Sequence, residues 1–187
     1  NQLKIRTEDV SFVIDELKVM FEKDKRFSQV ADFDNIGIFG HSFGGCTSIM
    51  SAYNDTRIDA VIGLDAYFLP LPKEIIKKDL NTPFVHLGQV SWGDSDNYEV
   101  MSELGKSSNR EFYHFAIEGS KHNDYTDFSQ FTKLTRKFGS GKISPKSIRY
   151  IMNDVMLGFF DYHLKNKSIF DHNQYQKKYE SVKTYVH

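Results

Sequence analysis

Gly40-His41-Ser42-Phe43-Gly44, extended by Gly45, is the feature that most restricts how this chain can fold. A short apolar run, Asn35-Ile-Gly-Ile-Phe-Gly40, precedes it, and Gly44 to Tyr53 reads as a helix behind it. G-x-S-x-G in that setting predicts a strand that reverses into a helix too sharply for ordinary backbone angles. The serine is then strained, and its hydroxyl projects above the sheet. Glycines two before and two after it are expected to remove side chains that would collide in the reversal. Phe43 opens the helix, so its amide is placed to hold an oxyanion. Without the flanking strand and helix, the same letters would mean only a glycine-rich turn with an inert serine.

The remaining pattern agrees with a sheet of that kind. Ala60-Val-Ile-Gly-Leu64, Pro83-Phe-Val-His-Leu87 and Glu111-Phe-Tyr-His-Phe-Ala-Ile117 read as strands, with a helix near Tyr98 to Gly105. Short apolar strands alternating with helices predict a parallel α/β sheet flanked by helices. Val10, Val13, Leu17, Met20 and Phe21 recur about once per helical turn, with Thr7 as N-cap after a polar opening. Ser144-Pro145 predicts the start of a long helix whose stripe Ile148, Ile151, Met152, Val155, Met156, Phe159 and Phe160 faces the core. From Lys133 to Arg149 the charges are all positive, which reads as a solvated loop and helix start rather than a headgroup-facing patch.

Composition adds exclusions. At 187 residues with no repeat or linker, a single domain spanning 1–187 is expected. A net charge of −1 gives no global pull toward nucleic acid. Cys46 is the only cysteine, which excludes an internal disulfide framework and a cysteine-built zinc site. No apolar run approaches the ~18 residues of a membrane span, and the compartment stays open.

A nucleophilic serine needs a base and an orienting carboxylate later in the chain. Of seven histidines, His41 lies inside the turn and should point away from the serine hydroxyl, while His86 and His114 sit within strands. His163 ends a helix, and His172 and His187 belong to a polar tail. His122 alone follows a strand through a short loop, at the edge where parallel sheets gather their sites. For the carboxylate, Asp65 ends the Ala60–Leu64 strand, whereas Asp94 and Asp96 lie in the polar loop after the next strand. A strand end places a carboxylate more rigidly than a glycine-bearing loop, but Asp94 stays open as the alternative acid.

Three blocks carry a resemblance: Gly40-His-Ser-Phe-Gly-Gly45, Leu64-Asp-Ala-Tyr-Phe-Leu-Pro-Leu71 and Gly119-Ser-Lys-His-Asn-Asp-Tyr-Thr-Asp-Phe128. In order and approximate spacing they closely resemble the platelet-activating factor acetylhydrolase family, the plasma and type II branch of the α/β-hydrolase fold. The resemblance implies a serine ester hydrolase with no cofactor and no metal ion. It makes Ser42 the nucleophile, Asp65 the acid and His122 the base, with Phe43 giving one oxyanion amide. It also implies phospholipid substrates with short or oxidised acyl chains, and peripheral contact with lipid surfaces. Phe43, Tyr67, Phe68 and Trp92 supply apolar and aromatic surface near the site. The family has several strands before the elbow, whereas about 35 residues precede it here. The expectation is therefore a C-terminal portion of the full fold, with the second oxyanion amide unassigned. A dienelactone-hydrolase-type carboxylesterase and a non-catalytic binding protein of the same fold are the competing readings.

Overall fold

The computed structural model describes residues 2–24, 26–92, 96–167 and 169–187. In chain order the elements are α1 (Gln2–Lys23), β1 (Ile36–His41), α2 (Phe43–Asn54), β2 (Ile58–Leu64), α3 (Lys73–Ile76) and β3 (Phe84–Gln89). There follow α4 (Asp96–Ser107), β4 (Phe112–Ile117), α5 (Phe128–Phe131), α6 (Pro145–Lys165), α7 (His172–Lys178) and β5 (Val182–Val186). Short 3₁₀ turns cover His122–Tyr125 and Lys133–Phe138.

The strands form one sheet in the order β1-β2-β3-β4-β5, with β1 to β4 parallel. Parallel register puts His41 beside Leu64 and Leu64 beside Leu87, so the segments that follow these strands leave the sheet at one edge. That edge is where the site assembles. β5 is the unexpected strand: it runs antiparallel to β4, with Phe115 opposite Thr184 and Ile117 opposite Val182. Only Val182 of this strand is buried, so its sequence lacks the apolar run that marks β2 or β3 and reads as a polar tail.

Two cores form because side chains alternate across the sheet. On one face, Val61, Phe84 and Phe112 meet Cys46 and Ile49 of α2, Leu3 of α1 and Leu104 of α4. On the other, Ile62, Val85, Phe115 and Ile117 meet Ile148, Ile151, Val155 and Phe159 of α6. The α6 stripe is thus core-facing as predicted, with Met152, Met156 and Phe160 packed at its border. Its N-terminus is also as predicted: Ser144 Oγ accepts the Ser147 amide at 3.0 Å.

The first helix departs from expectation. It begins at Gln2, so Thr7 lies inside it and caps nothing; its hydroxyl donates to the Leu3 carbonyl at 2.8 Å. Leu3, Thr7, Val10 and Ile14 form the face toward the core, while Val13, Leu17 and Met20 are exposed. The face that packs against the core thus shares Val10 with the predicted stripe but is turned away from the rest of it. β1 stands at the sheet edge, with Phe39 58% exposed. In the basic stretch, Lys137, Lys142, Lys146 and Arg149 are exposed, whereas the side chains of Lys133 and Arg136 lie outside the description. Among the described residues, no helix is long and apolar enough to cross a membrane.

Candidate active site

Ser42 sits between β1 and α2 with φ of 56° and ψ of −120°, a conformation that L-residues avoid. The surrounding glycines explain why the chain tolerates it, though not both as expected. A Cβ on Gly40 would run into the Gly44 carbonyl, so a side chain there is excluded. At Gly44 itself a Cβ would meet nothing within 4 Å. The close approach belongs to Gly45 instead, where a Cβ would lie 2.5 Å from that of Ala66. Phe43 is the first residue of α2, which leaves its N–H at the positive end of that helix.

Asp65 follows β2 directly and is itself in the left-handed region, with φ of 42°. Aspartate visits this region more readily than most L-residues, but its place directly after an apolar strand gave no sign of it. Its carboxylate is wholly buried and surrounded by donors. Oδ1 accepts the Gln89 amide at 3.0 Å and the Trp92 indole N–H at 3.2 Å. Oδ2 accepts the Gln89 side-chain amide at 2.9 Å and His122 Nδ1 at 2.7 Å.

The carboxylate accepts only, so Nδ1 of His122 carries the proton, and Nε2 is left to accept from Ser42 Oγ at 3.0 Å. His122 is held from beneath. Asp124 Oδ2 accepts the amides of Lys121 at 2.9 Å and Gly141 at 2.6 Å, which closes the loop around the histidine. His41 contacts the loop that carries His122. Its Nε2–H donates to the His122 carbonyl at 3.0 Å, and the two rings lie 4.4 Å apart. Burial, followed by the neighbouring His122, lowers the His41 pKa and favours its neutral form.

The structure thus brings Ser42, His122 and Asp65 into one hydrogen-bonded chain. Asp94 lies outside the described residues, and Asp96 opens α4. His86 and His114 are buried in strands, and His172 begins α7. Of the aromatic residues expected near the site, Tyr67 and Trp92 are there, stacked at 5.8 Å, with the Trp92 ring edge-on to His122 at 5.0 Å. Phe68 is wholly buried against Phe84 and His86, and the Phe43 ring packs into the core beneath the Arg6 guanidinium at 4.9 Å. Sequence reasoning missed Gln89 and Asp124 as supports. Only Asp124 had any signal, since it belongs to the Gly119–Phe128 block.

Comparison with known proteins places the chain in a family. The model of the family described as platelet-activating factor acetylhydrolase, isoform II, matches residues 5–185. The platelet-activating factor acetylhydrolase of Gallus gallus is 29% identical over 143 residues, 75% of this chain and 34% of its own length. That of Canis lupus familiaris is 28% identical over 166 residues, 87% of this chain and 35% of its own length. The chain therefore spans about a third of the length of these curated relatives. Among solved structures, a ferulic acid esterase from Streptomyces cinnamoneus matches with a TM-score of 0.73 at 24% identity, covering 90% of this chain and 50% of that one. That likeness speaks for the fold alone, an α/β-hydrolase sheet flanked by helices. With the family match running over nearly all of its residues, the chain belongs to the platelet-activating factor acetylhydrolase isoform II family.

Proposed function

We propose that this protein is a serine-dependent carboxylic ester hydrolase acting through Ser42, His122 and Asp65. The observation that carries the reading is the continuous relay from Asp65 Oδ2 through the His122 imidazole to Ser42 Oγ, at 2.7 and 3.0 Å. His122 Nε2 removes the serine proton as Oγ attacks the ester carbonyl, and the buried Asp65 carboxylate stabilises the imidazolium that forms. The Phe43 amide receives the oxyanion of the tetrahedral intermediate. Collapse expels the alcohol, protonated by His122, and leaves an acyl group on Ser42. Water, deprotonated by the same imidazole, then releases the acid and restores the serine.

The substrates proposed are phospholipids with a short or oxidised acyl chain, because the relatives of this chain are named platelet-activating factor acetylhydrolases. A lipid-facing surface fits that substrate class. Phe131, Leu134 and Phe138 are exposed beside the His122 loop region.

A fluorophosphonate probe tests the chemistry: one adduct on Ser42, absent from Ser42→Ala, is expected. An unlabelled serine in folded protein overturns the assignment. Hydrolysis of a short-acyl phosphatidylcholine compared with p-nitrophenyl acetate tests the substrate class. Turnover of the simple ester alone would transfer the reading to a general carboxylesterase, and ligand binding with no turnover would transfer it to a binding protein.

A further inference from the structure

The turn that carries Asp65 is buried, strained and without glycine. Asp65, Ala66 and Phe68 are wholly inaccessible, so each backbone N–H in the turn needs an acceptor inside the protein. Four consecutive amides find four different ones. Asp65 donates to the Leu87 carbonyl at 2.6 Å, and Tyr67 to the Ser42 carbonyl at 3.0 Å. Ala66 donates to His86 Nε2 at 3.1 Å, and Phe68 to Asn97 Oδ1 at 2.6 Å.

Asn97 does more than accept. Its Nδ2 donates to the Ala66 carbonyl at 3.0 Å, so one side-chain amide binds a donor and an acceptor two residues apart in the same turn. The residue is wholly buried in the first turn of α4, on an element separate from the strands that frame Asp65. Burying an amide is costly unless its polar atoms are paired. Its side-chain oxygen and nitrogen both pair with backbone groups of the Asp65 turn.

We infer that Asn97 is a positioning residue for the proposed catalytic acid. By clamping Ala66 and Phe68, it holds Asp65 in its left-handed conformation with the carboxylate aimed at His122. The inference rests on the Ser42–His122–Asp65 reading above. Asn97 touches no reacting atom, so its effect passes through the placement of Asp65 and appears in turnover rather than in substrate binding.

The test is a double-mutant cycle between Asn97 and Asp65, with active sites counted by fluorophosphonate so that kcat refers to folded, reactive protein. Asn97→Leu removes both hydrogen bonds at similar volume. In otherwise unaltered protein it should lower kcat by about 10- to 100-fold and change KM by less than about twofold. In the Asp65→Asn background the same change should cost less than about threefold, because the carboxylate it positions is already gone. Asn97→Asp keeps the acceptor for Phe68 and loses the donor to Ala66; it should show a smaller loss with the same non-additivity, and it carries the comparison if the leucine variant does not fold. A merely structural role predicts a lower Tm with kcat per titrated site unchanged, or a penalty repeated in full in the Asp65→Asn background. Either result overturns the inference while leaving the triad intact. A parent protein that neither reacts with the probe nor cleaves an ester overturns the triad reading, and this inference with it.

Discussion

The carbonyl oxygen of Ser42 accepts the backbone N–H of Tyr67 at 3.0 Å, which ties the serine's turn directly to the turn bearing Asp65. Both turns hold a non-glycine residue at positive φ, at Ser42 and at Asp65. Each strained backbone therefore braces the other, and the spacing of the proposed nucleophile and acid is set by main chain rather than by flexible side chains. The same carbonyl also accepts the Gly45 amide at 3.0 Å, so the first turn of α2 belongs to the brace.

Asp65→Asn should reduce turnover by up to ~10⁴ while the fold survives. Its carboxylate accepts from Gln89, Trp92 and His122, and an asparagine has only one oxygen to offer them. The His122 tautomer is then no longer imposed, and Nε2 loses its role as acceptor. Asp94→Asn, at the position kept open as an alternative, should leave kcat within about threefold of the parent. Steady-state kinetics on the two variants decides between them; a crippled Asp94→Asn with an active Asp65→Asn would reverse the assignment.

Trp92→Phe removes the indole N–H donated to Asp65 Oδ1 while keeping an aromatic ring, though a smaller one, beside Tyr67. Hydrogen bonds to charged groups contribute about 1.5–3 kcal/mol, so kcat should fall by roughly tenfold or more. Equal kcat values in the two proteins would mean that the Gln89 amides suffice to hold the carboxylate.

The buried histidines predict acid lability. His114 is buried in β4, and its Nε2 has no partner among the described residues. Burial, with a smaller contribution from His187, pushes its pKa from 6.5 down to about 4. The neighbouring His86 is likewise held well below its usual value by burial. A folded pKa below the unfolded one means that the unfolded chain takes up the proton first. This contribution is therefore intact above about pH 6.5 and is lost as pH falls toward 4, amounting to of order 3 kcal/mol for His114. Urea midpoints measured across that window should decline, and less steeply in His114→Phe. Identical slopes would remove His114 as a cause.

The exposed edge of β1 should promote self-association of this chain. A strand with one unpaired edge and an exposed Phe39 is a template for another strand. Phe39→Lys should lower the concentration-dependent growth in light scattering without changing the circular dichroism spectrum. Association insensitive to this change would place the contact elsewhere.

Lipid contact through the α5 region is testable with vesicles. Phe131 and Phe138 are 78% and 69% exposed, and a fully buried phenyl side chain contributes about 1.5–3 kcal/mol. Replacing both by serine should weaken sedimentation with phosphatidylcholine vesicles by roughly tenfold or more, with hydrolysis of a soluble ester unchanged. Undiminished vesicle binding would assign the lipid surface to another face.

What the sequence determined by itself was local. An apolar strand, a G-x-S-x-G turn and a following helix can be met in few ways, so Ser42 was legible from its neighbours alone. Ser144 and Pro145 marked the start of α6 for the same reason, since capping is decided within four residues. His122 and Asp65 were legible as strand-end residues, with help from the blocks around them. Tertiary structure decided the rest, because it depended on partners distant in the chain. The helix face of α1 was chosen by what it docks against, so Thr7 became an interior residue rather than a cap. β5 exists because β4 offered it an open edge, not because its own pattern demanded a strand. The left-handed backbone of Asp65 is not fixed locally either, although aspartate tolerates it better than most residues. It is held by acceptors on Leu87, His86, Ser42 and Asn97, which only the folded sheet brings within reach of one turn.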